Sequence, residues 1–219
     1  NIQRDPLCGR NFEYFSEDPV LTGLMGANVV KGVQSQGVAA CPKHFALNNQ
    51  ETGRNVADSR ASERAQREIY LKAFEMMIET SKPQTLMGSY NKINGEYSHY
   101  HYELFQTILR DEWGYDGVVF TDWWIAEGKP SYMDNVSNNA YRVRAHVDVL
   151  MPGSGPSWNF DTSLAKSYNT WVKAGCPTGT VDAGITLGEL QRTAKSVLNF
   201  VMKLIFMIQL VIFILMLIV

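Results

Sequence analysis

Gly117-Val118-Val119-Phe120-Thr121-Asp122-Trp123-Trp124 decides how this chain folds. An uncharged, β-branched run follows a glycine and breaks off at a carboxylate and two indoles. Residues 117–120 read as a buried parallel strand, because a strand covered on both faces has no polar side to present. A carboxylate at the C-terminal end of such a strand lies where α/β barrels and open α/β sheets assemble their active sites. Trp123 beside it offers the flat apolar face on which the C–H side of a sugar ring can stack. The same Asp can equally cap the next helix or pair with a neighbouring base.

Outward from this strand, short apolar runs alternate with longer amphipathic ones. Asp18-Pro19 opens a helix running to about Ser35, with an acidic cap and proline at the first helical position. Val38-Ala39-Ala40-Cys41 reads as a short strand, followed by a polar loop over residues 48–59. Ser62-Glu63-Arg64 starts a helix whose apolar positions Ile69, Leu71, Phe74, Met77 and Ile78 share one face, and Lys82-Pro83 ends it. Thr85-Leu86-Met87 is the next strand, and 147–151 another, ending in Pro152-Gly153. Helices are expected over 104–113 (closed by Gly114), 138–145, 161–174 and 186–203. The last opens with Thr186-Leu187-Gly188-Glu189, a capping-box pattern. Parallel strands joined by right-handed helical crossovers follow from this order. Four strands are readable, five if residue 1 lies at the end of one, whereas a closed eight-stranded barrel usually takes about 250 residues. The fold class is therefore α/β, an incomplete TIM-type (β/α) barrel with parallel strands alternating with helices, over residues 1–203.

Composition narrows the function. Of 219 residues, 45% are hydrophobic and 19% charged, which suits a packed core. A net charge of −2 makes no basic field and excludes nucleic acid as a partner. No P-loop, dinucleotide glycine fingerprint or Cys/His metal spacing is present. Cys8, Cys41 and Cys176 form no disulfide framework, so a reducing compartment and a lone bridge are both allowed. The opening Asn1-Ile2-Gln3-Arg4-Asp5-Pro6 has no initiator Met, basic region or apolar leader, so the chain is expected to start inside a longer protein. From Leu204 onward the sequence LIFMIQLVIFILMLIV carries one polar residue, Gln209. A membrane span needs about 20 apolar residues. The tail 204–219 therefore stays open between a membrane anchor, a buried helix and a truncation artefact. Localisation is expected to be cytoplasmic, or membrane-anchored if the tail is an anchor.

Polar residues that can carry chemistry follow the strands. Arg10, in Gly9-Arg10-Asn11-Phe12-Glu13, offers hydroxyls a rigid donor fork, or pairs with Glu13 or Glu17. Lys43-His44-Phe45 sends two polar side chains beyond the Val38 strand, unless His44 is a satisfied core histidine. Asn48-Asn49-Gln50-Glu51 with Arg54 has the donor density that a hydroxyl-rich ligand requires, or is a plain solvated loop. Met87-Gly88-Ser89-Tyr90-Asn91 repeats the arrangement after its own strand, with the Tyr90 phenol within reach of Asp122 or simply packed. Asp148 reads as a structural carboxylate.

Taken in order, GRNFEYFSEDP, KHFALNNQE, SERAQREIYLKAFE, MGSYNKING, ILRDEWGYDGVVFTDWW and DVLMPG resemble the catalytic barrel domain of glycoside hydrolase family 3, the β-glucosidase family, over about residues 1–203. The resemblance implies a retaining O-glycosyl hydrolase of carbohydrate catabolism. It would release a non-reducing-end β-linked sugar from an oligosaccharide or glycoside. It implies Asp122 as nucleophile and Trp123 as sugar platform. Arg10, Lys43, His44, Met87 and Tyr90 would line the subsite for the non-reducing-end sugar. It implies no metal and no organic cofactor. Arg10 and Lys43 are expected to hold Asp122 ionised, since opposite charge favours the carboxylate. The opening part of the family's barrel is missing here, including an early Asp that holds two sugar hydroxyls. So is the α/β sandwich domain that supplies the acid/base, which makes that domain an expected partner and the isolated chain an expected inactive one. The alternative is a noncatalytic or degenerate carbohydrate-binding barrel, with or without a membrane tether. A sandwich domain in the flanking reading frame selects the enzyme.

Overall fold

The computed structural model describes residues 1–125, 139–152, 163–179 and 184–204. In chain order, a short 3₁₀ turn (Asn11–Glu13) leads to α1 (Pro19–Gln34). Asp18 caps α1 by accepting from the N–H groups of Val20 at 2.7 Å and Leu21 at 3.2 Å. After β1 (Asp58–Ser59), helix α2 (Glu63–Ala65) passes through a wide π-type turn (Gln66–Tyr70) into α3 (Lys72–Ser81). Strand β2 (Thr85–Met87) and the short hairpin β3 (Lys92–Ile93) and β4 (Glu96–Tyr97) follow. A π-type helix (Glu103–Glu112) then leads to β5 (Val118–Trp123), α4 (Asn139–Arg144), β6 (Val149–Met151), α5 (Ser163–Lys173) and α6 (Leu187–Lys203).

The strands that matter are parallel, in the order β2-β5-β6. Thr85 pairs with Val118, Met87 with Phe120, and Phe120 with Val149. The expected strand at Val38-Ala39-Ala40-Cys41 is displaced. Residues 40–45 run beside β2 instead, their carbonyls at Ala40 and Pro42 accepting from Thr85 and Met87 N–H. Phe45 N–H returns a bond to the Met87 carbonyl at 2.8 Å. Pro42 has no N–H to give, so a regular ladder cannot form through it. The result is partial parallel sheet with helices outside it, an incomplete barrel as the strand–helix alternation required. The expected helices at 138–145 and 161–174 appear from Asn139 and Ser163 onward; residue 138, residues 161–162 and the Gly153 turn lie outside the described residues. So do residues 205–219 of the tail. No helix among the described residues is long and apolar enough to cross a membrane.

Phe45 anchors the core. It is fully buried, edge-on to Phe74 at 5.0 Å, Phe105 at 5.6 Å and Trp113 at 6.0 Å between ring centres. Helix α1 lies close on α3 because Gly26 meets Met77; a Cβ there would stand 2.5 Å from the Met77 sulfur. Asp148 is buried and does the structural work its position suggested. Its Oδ2 accepts from Arg110 Nη2 at 2.7 Å and from the Val119 N–H at 2.9 Å, tying β5 to the turn before β6.

The Thr186 capping box of α6 is formed, and Glu189 also pairs with buried Arg144 at 2.6 Å. Burial alone would raise the Glu189 pKa, but hydrogen bonds from Arg144 and the Thr186 N–H outweigh it and hold the pKa below its ordinary 4.5. A carboxylate whose pKa is depressed on folding stabilises the fold above its unfolded value and loses that contribution as pH falls. Stability of the wild type is therefore expected to decline below about pH 4.5, and Glu189→Gln is expected to flatten that decline in urea titrations at stepped pH. An unchanged slope with pH would show that Glu189 contributes nothing to it.

Candidate active site

Asp122 is buried, with 7% of its surface exposed, at the C-terminal end of β5. Four residues of β5, Phe120 to Trp123, span three of β6, Val149 to Met151, so β5 bulges there. A bulge re-aims the side chains beside it. Thr121 points inward and accepts from the Met151 N–H at 2.8 Å, leaving Asp122 beside Tyr90 and His44.

His44 Nε2 lies 3.4 Å from Asp122 Oδ2 and 3.4 Å from Arg10 Nη1. One ring nitrogen serves one of these partners at a time, according to tautomer. Burial, followed by the positive charges of Arg10 and Lys43, lowers the His44 pKa to about 2. The ring is therefore neutral at ordinary pH, and the Asp122 contact is not an ion pair. Phe45, locked in the core, fixes the main chain that carries its neighbour His44.

The cations around this pair are themselves matched by acids. Arg10 bonds to Glu13 and lies 3.7 Å from Glu51; Lys43 lies 3.6 Å from Glu13. Arg54 bonds to Glu51 at 2.7 Å and covers the Tyr90 ring, 4.4 Å from its centre. This corrects the expectation that Arg10 and Lys43 set the ionisation of Asp122. Its pKa is raised: burial is the largest influence, and the Tyr90 hydrogen bond, Arg54, Arg10 and Lys43 only oppose it. Glu13 and Glu51 absorb much of the positive field. Tyr90 in turn is pushed up to about 12, by burial first and then by the Asp122 charge and hydrogen bond.

Arg10, His44, Asp122 and Tyr90 thus form one contiguous chain of contacts, with Lys43 joined to it through Glu13. Met87 stands at the end of β2, in register with Phe120, two residues before Asp122. Trp123 is part-exposed, 38%, and meets Trp124 edge-on at 5.1 Å. Arg10 makes the Glu13 pair that its sequence context allowed, and Arg54 and Glu51, read from the sequence only as a donor-rich loop, join the site. The loop of 48–51 with Arg54 carried the signal through its donor density, but only the turn at Gly53, with φ of +65°, returns Arg54 over Tyr90. Among the described residues, no three His, Cys, Asp or Glu side chains are arranged to hold a metal.

The arrangement can place sugar hydroxyls between Arg10, Lys43, Arg54 and His44, with a carboxylate in attacking reach and an indole at the rim. It is a partial parallel α/β barrel with a carboxylate centre at its C-terminal strand ends. The sequence profile described as "Glycosyl hydrolase family 3 N terminal domain" matches residues 1–182. The chain belongs to this family. A β-glucosidase from Ruminococcus albus is 44% identical over 206 residues, 93% of this chain and 20% of the relative. The structure of a β-glucosidase from Paenibacillus barengoltzii superposes with a TM-score of 0.79 at 40% identity, over 94% of this chain and 21% of that one. β-glucosidase 3B from Thermotoga neapolitana, solved in complex with glucose, superposes with a TM-score of 0.77 at 40% identity, over 93% of this chain and 26% of that one. The chain thus spans about a fifth to a quarter of the length of these proteins.

Proposed function

We propose that this chain is the nucleophile-bearing part of a retaining β-glycosidase that removes a non-reducing-end sugar from a β-linked oligosaccharide or glycoside. The observation that carries this is the buried Asp122 at a bulged strand end, 3.4 Å from a neutral His44 and ringed by Arg10, Lys43 and Arg54. Asp122 attacks C1 of the sugar, forming a glycosyl ester while the C1–O bond to the leaving group breaks. Water later hydrolyses that ester. Arg10, Lys43, His44 and Arg54 bind ring hydroxyls, contacts that strengthen as charge develops in the transition state. Met87, Tyr90 and Trp123 form the apolar walls, Trp123 as the stacking platform. Glucose is the preferred sugar on the strength of the glucose-bound relative.

A retaining enzyme needs a second carboxyl group about 5–5.5 Å from the first, as acid/base. Glu13 and Glu51 are held in ion pairs with Arg10, Lys43 and Arg54 and are poorly placed to give up a proton. The acid/base is therefore assigned to an α/β sandwich domain outside residues 1–203, and the chain alone is assigned no turnover. Residues 204–219 are treated as a separate tail. Incubation of the parent protein with a 2-deoxy-2-fluoro-glucoside bearing a good leaving group tests the reading. Peptide mass mapping is expected to find the fluorosugar on Asp122. A label on any other carboxylate, or stoichiometric inactivation without a label on Asp122, sinks the assignment.

A further inference from the structure

Trp124, the first residue after β5, has a φ of +45° and leaves 74% of its surface in solvent. Left-handed φ crowds any side chain against its own main chain, and for a bulky one it is an outlier. Other described residues with this geometry have a local reason for it. Lys82 ends α3, Asn94 makes the β3–β4 turn, and Leu47 is held in the core. Trp124 neither ends a helix nor buries its ring. In an extended strand neighbouring side chains point to opposite faces. The turn at Trp124 breaks that alternation, and the indoles of Trp123 and Trp124 meet edge-on, 5.1 Å apart between ring centres and inclined at 62°. The result is a corner of two indoles directly beside Asp122, whose Oδ1 accepts from the Trp123 N–H at 3.3 Å. Backbone strain of this kind gathers at ligand sites, where the surrounding structure maintains it.

Exposure gives the corner a direction. His44, Tyr90 and Asp122 are buried, Trp123 is part-exposed and Trp124 more so. A sugar seated against the buried groups, with C1 at Asp122, turns its leaving group toward the open end of this gradient. We propose that Trp124 is the platform for that leaving group, and that it selects leaving groups carrying a ring with a flat apolar face, a second pyranose or an aryl group, over short alkyl ones. The inference rests on the reading of Asp122 as nucleophile. The chemistry is that of an indole face, which gains from a flat C–H or aromatic surface laid on it and little from a methyl group. Trp123, standing across the corner, limits how such a ring can lie, so the left-handed turn sets the angle between the bound sugar and its leaving group.

The test uses the full-length parent and three substrates that share one sugar: cellobiose, 4-nitrophenyl β-glucoside and methyl β-glucoside. Trp124→Gly removes the ring and suits the left-handed φ. Trp124→Asn does the same with less freedom in the chain, and Trp124→Phe keeps a flat ring. The Gly and Asn variants are expected to lower kcat/KM about tenfold or more for cellobiose and the nitrophenyl glucoside, and less than about twofold for the methyl glucoside, with Phe recovering part of the loss. The ratio between substrates within each variant cancels any loss of folded protein. A loss on cellobiose alone assigns the platform to a pyranose, and a loss on the nitrophenyl glucoside alone assigns it to an aryl group. An equal loss on the methyl glucoside, or no loss on either ring-bearing substrate, overturns the proposal. Inactivation by 2-deoxy-2-fluoro-glucosyl fluoride, whose leaving group has no ring, keeps this outcome separate from the reading beneath it. W124G is expected to take the label on Asp122 at the wild-type rate. No label on Asp122 in either protein sinks the nucleophile itself, whereas a label on Asp122 with losses that ignore the leaving group sinks the role of Trp124 alone.

Discussion

Asp122→Asn in the full-length parent is expected to leave folding intact and to cut glycosidase turnover by about 10⁴- to 10⁶-fold, the scale on which removing a covalent nucleophile acts. Asparagine fills the same space and keeps contact with Tyr90 and His44, so a change in Tm of more than a few degrees is not expected. It cannot form the glycosyl ester. The pH profile adds an independent reading. The proposed attack requires ionised Asp122, and burial raises its pKa above the ordinary 3.8. The acid limb of kcat/KM in the wild type should therefore lie above pH 3.8. Near-normal turnover of the variant would remove Asp122 from the mechanism. So would a wild-type acid limb that persists unchanged in a slow variant.

Lys43→Ala and His44→Ala are each expected to lower kcat/KM by about 10²-fold, roughly 2.7 kcal/mol of transition-state binding. Each removes a donor that the proposed function assigns to a sugar hydroxyl. His44 carries a structural risk that Lys43 does not, because its ring is buried and its neighbour Phe45 is a core anchor. His44→Gln, which keeps a donor of similar reach, is therefore the companion variant and is expected to recover part of the loss. With a folded pKa near 2, His44 is neutral across the working range, so neither variant should move a limb of the profile near pH 6.5. Full activity in either alanine variant, with Tm unchanged, would show that the side chain does not bind substrate.

Much of this architecture is legible because its signals are local. The apolar run before Asp122 can only be a buried strand, and Asp18-Pro19 and Thr186 with Glu189 mark helix starts through bonds that span a single turn. What escapes reading is non-local. Strands of two residues such as β1, β3 and β4 are too short to show alternation. The ladder at 40–45 is displaced from the apolar run that suggested it, since a strand is defined by its partner and Pro42 denies it one donor. Arg54 reaches Tyr90 only through a bend set by Gly53. The balance of charge around Asp122 depends on Glu13 and Glu51, which lie 109 and 71 positions away in the chain and meet only in the folded site. Residue types at strand ends can announce a site, but not how far burial outweighs the charges around it.

The double grip of Asp148 on Arg110 and on the Val119 amide has a consequence for how this protein tolerates variation. Val119 lies three residues before Asp122 on the same strand. A substitution at 148 would release that strand near its start, and the harm would surface as lost activity at a position outside the candidate site. A mutational survey would score Asp148 beside Asp122 as an essential acid. The room for adaptive change therefore lies on exposed helix faces, such as Arg64 and Glu68, where side chains can be exchanged without disturbing the strand that carries Asp122.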